Sequence, residues 1–218
     1  MSQTRRALIA SAMALAATPA LAADKKSVEV TKAFPYLENY WKLPAGERSR
    51  FMVAYYLKRD GRPAAGLKGA IVQGAVRTPV SIGATGRVSP LPTLAQIRGG
   101  AKIEFDVPAD TKFSMSMLIE PTVRPAAEMS APELALAVTQ AAKGAKKVAG
   151  LMGMAMPTIA AVAFKGVSAG TVVHADGRTG ALPVKEGMPY FQPAKLRTAA
   201  TLKFARAPSQ LLLSPAEG

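Results

Sequence analysis

The apolar positions of this chain follow two periods. Phe34, Leu37, Tyr40 and Trp41 recur at helical spacing, with Pro35 at the start and Pro44 just past the end, and predict a short helix buried along one side. Further on, Ser130-Ala131-Pro132-Glu133 has the form of a capping box, and proline in a first turn removes no helical hydrogen bond. Leu134, Val138, Ala141, Ala145, Val148 and Met152 then repeat at steps of four and three. That stripe predicts a helix from about residue 131 to 149 or beyond, loosened by Gly150 and Gly153 and stopped by Pro157. Its many small side chains suit close packing on a sheet.

Elsewhere the period is two. Phe51 to Lys58 is apolar on both alternating faces and predicts a strand covered on two sides, ended by Asp60-Gly61. Leu67 to Val72 and Pro79 to Ile82 read as shorter strands. Ile103, Phe105 and Val107 alternate with charged residues, and Phe113, Met115, Met117 and Ile119 with polar or smaller ones; the Pro108-Ala109-Asp110 link predicts that these two pair as an antiparallel hairpin. Thr158 to Phe164, Thr171 to His174, Leu196 to Phe204 and Leu211 to Leu213 complete the strands. The expected fold class is α+β, with mainly antiparallel sheet units, a short N-terminal helix and a central Ala-rich helix packed on the sheet.

One stretch occurs twice. Ala84 to Pro92 reads A-T-G-R-V-S-P-L-P and Ala175 to Pro183 reads A-D-G-R-T-G-A-L-P, identical at five of nine positions. The order of elements around the two copies is alike, so an internal duplication is expected, with one domain over 23–218 made of halves near 30–125 and 130–216. Turn geometry explains the shared residues: Gly86 and Gly177 supply a left-handed conformation, Arg87 and Arg178 can reach back to free carbonyls, and Leu-Pro re-enters the core. The two arginines could alternatively line an anion site.

Composition adds where the protein works. Arg5-Arg6, an Ala-rich apolar run from Ala7 to Ala17 and Ala20-Leu21-Ala22 form a bacterial secretory signal over residues 1–22, which predicts a periplasmic or secreted mature chain. There is no cysteine, so no disulfide framework supports the fold. The uncharged run from Val148 to Phe164 is short and interrupted by Gly and Pro, and is expected to be a buried helix end and strand, with no transmembrane segment in the mature chain. The chain holds 28 Lys+Arg against 14 Asp+Glu. That excess favours anionic partners, which for an exported bacterial protein are lipid head groups, lipopolysaccharide and cell-wall polymers; nucleic acid is not expected. Ten basic residues lie between Leu134 and Pro215 against Asp176 and Glu186, which points to the second half as the contact surface, with Arg178, His174, Lys195 and Arg197 joining Arg87 as binding candidates.

Three functions fit these features. A non-enzymatic envelope-binding protein is the expected function. Gly166-Val167-Ser168-Ala169-Gly170 matches the G-x-S-x-G elbow of serine hydrolases, with His174 and Asp176 beyond it, and gives the alternative of a small secreted serine hydrolase. Against it, six residues of extended chain would carry His174 roughly 20 Å from Ser168. A further alternative is a periplasmic Cu(I) carrier using Met152, Met154 and Met156, since thioethers select that ion; Met115 and Met117 share the spacing of two but are explained as core by strand alternation. No glycine-rich phosphate loop, dinucleotide fingerprint or paired-carboxylate constellation occurs, and no cofactor is expected.

Overall fold

The computed structural model describes residues 25–150 and 158–215. The secretory signal over 1–22 and the methionines Met152, Met154 and Met156 lie outside the described residues. Strand β1 (Lys25–Glu29) runs directly into helix α1 (Val30–Ala33), and α2 (Leu37–Lys42) follows. The helix expected over Phe34 to Trp41 is therefore interrupted. Pro35 pushes Phe34 out of helical backbone, and Tyr36 turns the chain with a φ of 65°. Leu37 and Tyr40 are buried, while Trp41 is half-buried, donating through Nε1 to the Pro92 carbonyl at 2.8 Å beneath the Arg48 guanidinium.

Strand β2 (Phe51–Arg59) is buried on both faces through Leu57, and a turn of two left-handed residues, Asp60 and Gly61, leads into β3 (Arg62–Pro63). Then come β4 (Lys68–Gln73), β5 (Val76–Ile82), β6 (Val88–Ser89) and helix α3 (Leu94–Arg98). Thr93 and Gln96 cap α3 reciprocally, satisfying two amides that would otherwise lack partners. The half ends with β7 (Lys102–Pro108) and β8 (Ser114–Pro121).

β7 and β8 do not form the expected hairpin. β7 lies between β1 and β4, whereas β8 pairs with β2 along eight residues, from Phe51 opposite Pro121 to Lys58 opposite Ser114. The Pro108 to Asp110 link is a crossover between sheets. β2, apolar on both sides, needs a long partner as well as covering layers, and β8 supplies the partner.

The second half begins with β9 (Glu128–Ser130) and α4 (Ala131–Ala149). The Ser130 side chain accepts the Glu133 amide at 3.3 Å. The strands that follow are β10 (Ile159–Lys165), β11 (Thr171–His174), β12 (Thr179–Ala181), β13 (Val184–Lys185), β14 (Met188–Phe191), β15 (Ala199–Lys203) and β16 (Gln210–Pro215); α4 buries Leu134, Ala137, Val138, Ala141 and Gly144 and packs chiefly on β10 and β15. Gly144 lets α4 approach β2, since a Cβ there would lie 2.5 Å from the Phe51 ring.

Among the described residues the sheets are ordered β1-β7-β4-β5-β6, β3-β2-β8, β12-β11-β15-β9 and β13-β14-β10-β16, with antiparallel pairings throughout. The fold is α+β, dominated by antiparallel sheet. Buried side chains from both halves, Val30 through Leu213, form one contiguous cluster. β16 runs beside β8, so the halves meet along that line. No helix of the described residues is long and apolar enough to cross a membrane.

Candidate functional site: a cleft where the halves meet

The register of β2 and β8 sets Met52 opposite Glu120 and Tyr56 opposite Ser116, so Met52, Tyr56 and Glu120 share one face of the pair. Glu120 is a carboxylate only 5% exposed, and a buried charge requires partners. It has three. The Tyr56 hydroxyl donates to Oε1, the Arg87 guanidinium donates to Oε2, and Gln210 Nε2 donates to Oε1 at 2.6 Å. Gln210 also donates to the Tyr56 oxygen at 2.6 Å, and Arg87 Nη2 lies 3.1 Å from the Met52 sulfur. The network thus ties β2, β8 and the first repeat turn to β16 of the second half.

The repeat turn delivers Arg87. Leu57 donates its amide to the Gly86 carbonyl at 2.8 Å, and Arg87 bridges to Tyr56. A Cβ on Gly86 would sit 2.5 Å from the Leu57 carbonyl oxygen, and its φ is 87°. Glycine is required here both by close approach and by backbone conformation. Arg87 does not reach back to turn carbonyls, as the sequence suggests; the buried carboxylate is the stronger acceptor.

Around this network lies a cavity of about 420 Å³ whose rim includes Thr122, Arg124, Lys165 and Ser209. Arg124 and Lys165 are exposed and have no ion-pair partner among the described residues. Arg87 is matched by Glu120, so the cleft retains two positive charges that nothing in it balances. Burial first, then the neighbouring Glu120 carboxylate, pushes the Tyr56 hydroxyl up to about 12. Because the folded value lies above the ordinary value of 10, Tyr56 contributes stability that is whole below pH 10 and is lost as pH rises toward 12. Tyr56→Phe should flatten part of the alkaline fall in urea midpoint over that window; an unchanged slope would place Tyr56 outside the buried network.

No family model, curated protein or solved structure matches the chain.

The remaining candidates lie elsewhere. The second repeat turn closes with the same hydrogen bonds as the first: His174 N to Arg178 O and Gly177 N to His174 O, against Gly83 N to Arg87 O and Gly86 N to Gly83 O. Its arginine has a different partner. Arg178 Nε donates to Asp176 at 2.7 Å, and that bond holds the Asp176 carboxyl below its usual range. His174 Nδ1 is 2.8 Å from Thr198 Oγ1, and Ala175 N donates to Thr198 O. The structure therefore gathers His174, Arg178, Lys195 and Arg197 at one end of the β11–β15 sheet, all in exposed or half-exposed positions. Arg87 is not among them.

Ser168 sits exposed in the bend between β10 and β11. A nucleophile elbow passes from strand to helix, and here the chain enters another strand. No hydrogen bond joins Ser168, His174 and Asp176 to one another among the described residues. Both glycines of the motif have packing reasons: a Cβ on Gly166 would meet Ser209, and one on Gly170 would meet Phe204 and Leu182. Among the described residues no group of three His, Asp or Glu side chains could hold a metal ion.

Proposed function

We propose that this chain is an exported, non-enzymatic protein of the bacterial envelope that binds an anionic or amphiphilic envelope component, and that the junction cleft holds the anionic group. Anionic lipid, lipopolysaccharide and cell-wall polymer are the partners that this chemistry fits. The observation that carries the reading is the charge of the cleft. A buried carboxylate occupies Arg87, while Arg124 and Lys165 face the same cavity without anions of their own. Arginine and lysine around a concave site are the usual means of holding phosphate or carboxylate. The secretory signal of the sequence supports the location.

Contact by charge is screened by salt. Retention of the protein on lipopolysaccharide or on anionic liposomes should therefore weaken progressively from low to high ionic strength. No retention at low ionic strength would remove the reading.

We further propose that the two halves descend from one duplicated unit. Strands β1, β2, β4, β5, β7 and β8, with helices after β1, stand in the same order and pairing as β9, β10, β11, β12, β15 and β16, with α4 after β9. In this correspondence β11–β12 matches β4–β5, one hairpin earlier than the A-x-G-R turn of the first half. The repeated turn is then a convergent local solution, and the register of the duplication is carried by strand pairing. Separate expression of 25–127 and 128–218 tests whether either half folds without the buried surface of the other; the shared core predicts that neither does.

A further inference from the structure

We propose that the opposite face of the β2–β8 pair is a groove for a long-chain fatty acid, with the acyl chain along β8 and the carboxylate at a lysine rim. This goes beyond the function proposed above, because it uses the other face of the sheet and none of the cleft residues.

The strand register places Val53, Tyr55 and Leu57 of β2 across from Ile119, Met117 and Met115 of β8 on this face. The β2 side chains are buried, but Met115, Met117 and Ile119 are only half-buried, as is Phe113 before them. Two hollows follow that row. The first, about 650 Å³, has Leu57, Phe105, Phe113 and Met115 in its wall. The second, about 40 Å³, is walled by aromatic and aliphatic side chains including Tyr36, Val53, Met117 and Ile119. Alternate side chains of β8 line both, Met115 the first and Met117 and Ile119 the second. From Phe113 to Ile119 the row spans about 20 Å, the order of a long acyl chain.

The segment beside both hollows is held in an unusual conformation. Pro35 borders the first hollow and Tyr36 the second, and the Tyr55 hydroxyl donates to the Pro35 carbonyl. Tyr36, a bulky residue with φ of 65°, is 42% exposed. Such backbone persists only where its surroundings hold it, and it places an aromatic ring against the apolar row.

The mouth selects the head group. Lys26, Lys32 and Lys112 line the first hollow, and no carboxylate does. Lys32 is shared with Glu29 at 3.1 Å and Lys26 donates to the Ala109 carbonyl at 3.0 Å, whereas Lys112 has no partner among the described residues. An apolar trough with a few polar groups at one end is the usual form of a small-molecule site, and cations at that end fit a carboxylate.

The test uses cis-parinarate, a fluorescent long-chain fatty acid. Its emission should rise saturably with the wild-type protein. Lys32→Glu with Lys112→Glu, both at exposed positions, should weaken binding about tenfold. Met115→Glu should abolish it, and the methyl ester should bind less tightly than the acid. Arg124→Ala with Lys165→Ala should leave parinarate binding unchanged, which separates this site from the junction cleft. Absence of saturable binding by the wild type, or equal affinity in the folded lysine variant as judged by circular dichroism, would overturn the proposal. A dimer seen by light scattering and dissociated by Met115→Glu would assign the groove to a second copy of the chain and would also overturn it.

Discussion

Replacing Phe51 by alanine is expected to lower the unfolding free energy by about 3–5 kcal/mol, through lost burial and the cavity left behind. Phe51 is 2% exposed, stands edge-on to Tyr40 at 5.7 Å between ring centres, and lies directly under Gly144. It is therefore the point at which α2, β2 and α4 meet. The loss would appear as a fall in the urea midpoint at unchanged slope. A second substitution sharpens the claim. Gly144→Ala gains about 1 kcal/mol of helix propensity, but its Cβ collides with the Phe51 ring, and crowding of that kind costs about 1–3 kcal/mol. In the wild type the change should be neutral to destabilising; in the Phe51→Ala background the collision is gone and it should stabilise. The same sign in both backgrounds would mean that α4 does not rest on Phe51.

Arg87→Ala should cost about 2–3 kcal/mol, below the 3–5 kcal/mol typical of breaking a buried pair, because the arginine is partly solvated. Its side chain is 39% exposed and that of Glu120 is 7%. The loss arises less from the missing attraction than from the carboxylate stranded between Tyr56 and Gln210. Adding Glu120→Gln should therefore recover part of it, since a neutral amide of the same shape costs less to bury. A double variant no more stable than Arg87→Ala would show that the pair is a surface contact. The comparison needs only chemical denaturation of four proteins in one buffer.

Patterning showed the longer strands, missed β1, β14 and the short strands β3, β6, β9, β12 and β13, and showed the tertiary company of each strand poorly. Phe51 to Lys58, apolar on both faces, is the covered strand β2 that its composition implies. The Ile103 to Val107 and Phe113 to Ile119 segments are strands as read, but alternation says which face is buried and nothing about which neighbour pairs. A short link containing proline looks the same as a hairpin turn or as a crossover. Helix α3 has one sequence signal, Thr93 and Gln96 standing three apart before an apolar residue, but at five residues it is too short for periodicity to register. The break at Tyr36 has a visible cause in Pro35, a residue that fits a helix start equally well.

The candidate site was legible only in part. The repeat marks Arg87, yet its partner Glu120 lies far along the chain, in a strand whose other face carries the apolar row. One signal did exist. Tyr56 falls within a run predicted to be covered on both faces, and a buried tyrosine hydroxyl must find an acceptor. The two glycines of the hydrolase motif are explained by packing against Ser209, Phe204 and Leu182, a constraint that the sequence pattern alone cannot distinguish from chemistry.

In the proposed function, the cleft between the halves binds an anionic group through Arg124 and Lys165. The most direct test of this is retention on lipopolysaccharide at low ionic strength, wild type against Arg124→Ala with Lys165→Ala, two exposed changes that leave the buried network intact. The wild type should bind, and the variant should bind with an affinity about tenfold lower or more. Equal binding by the two proteins would contradict it.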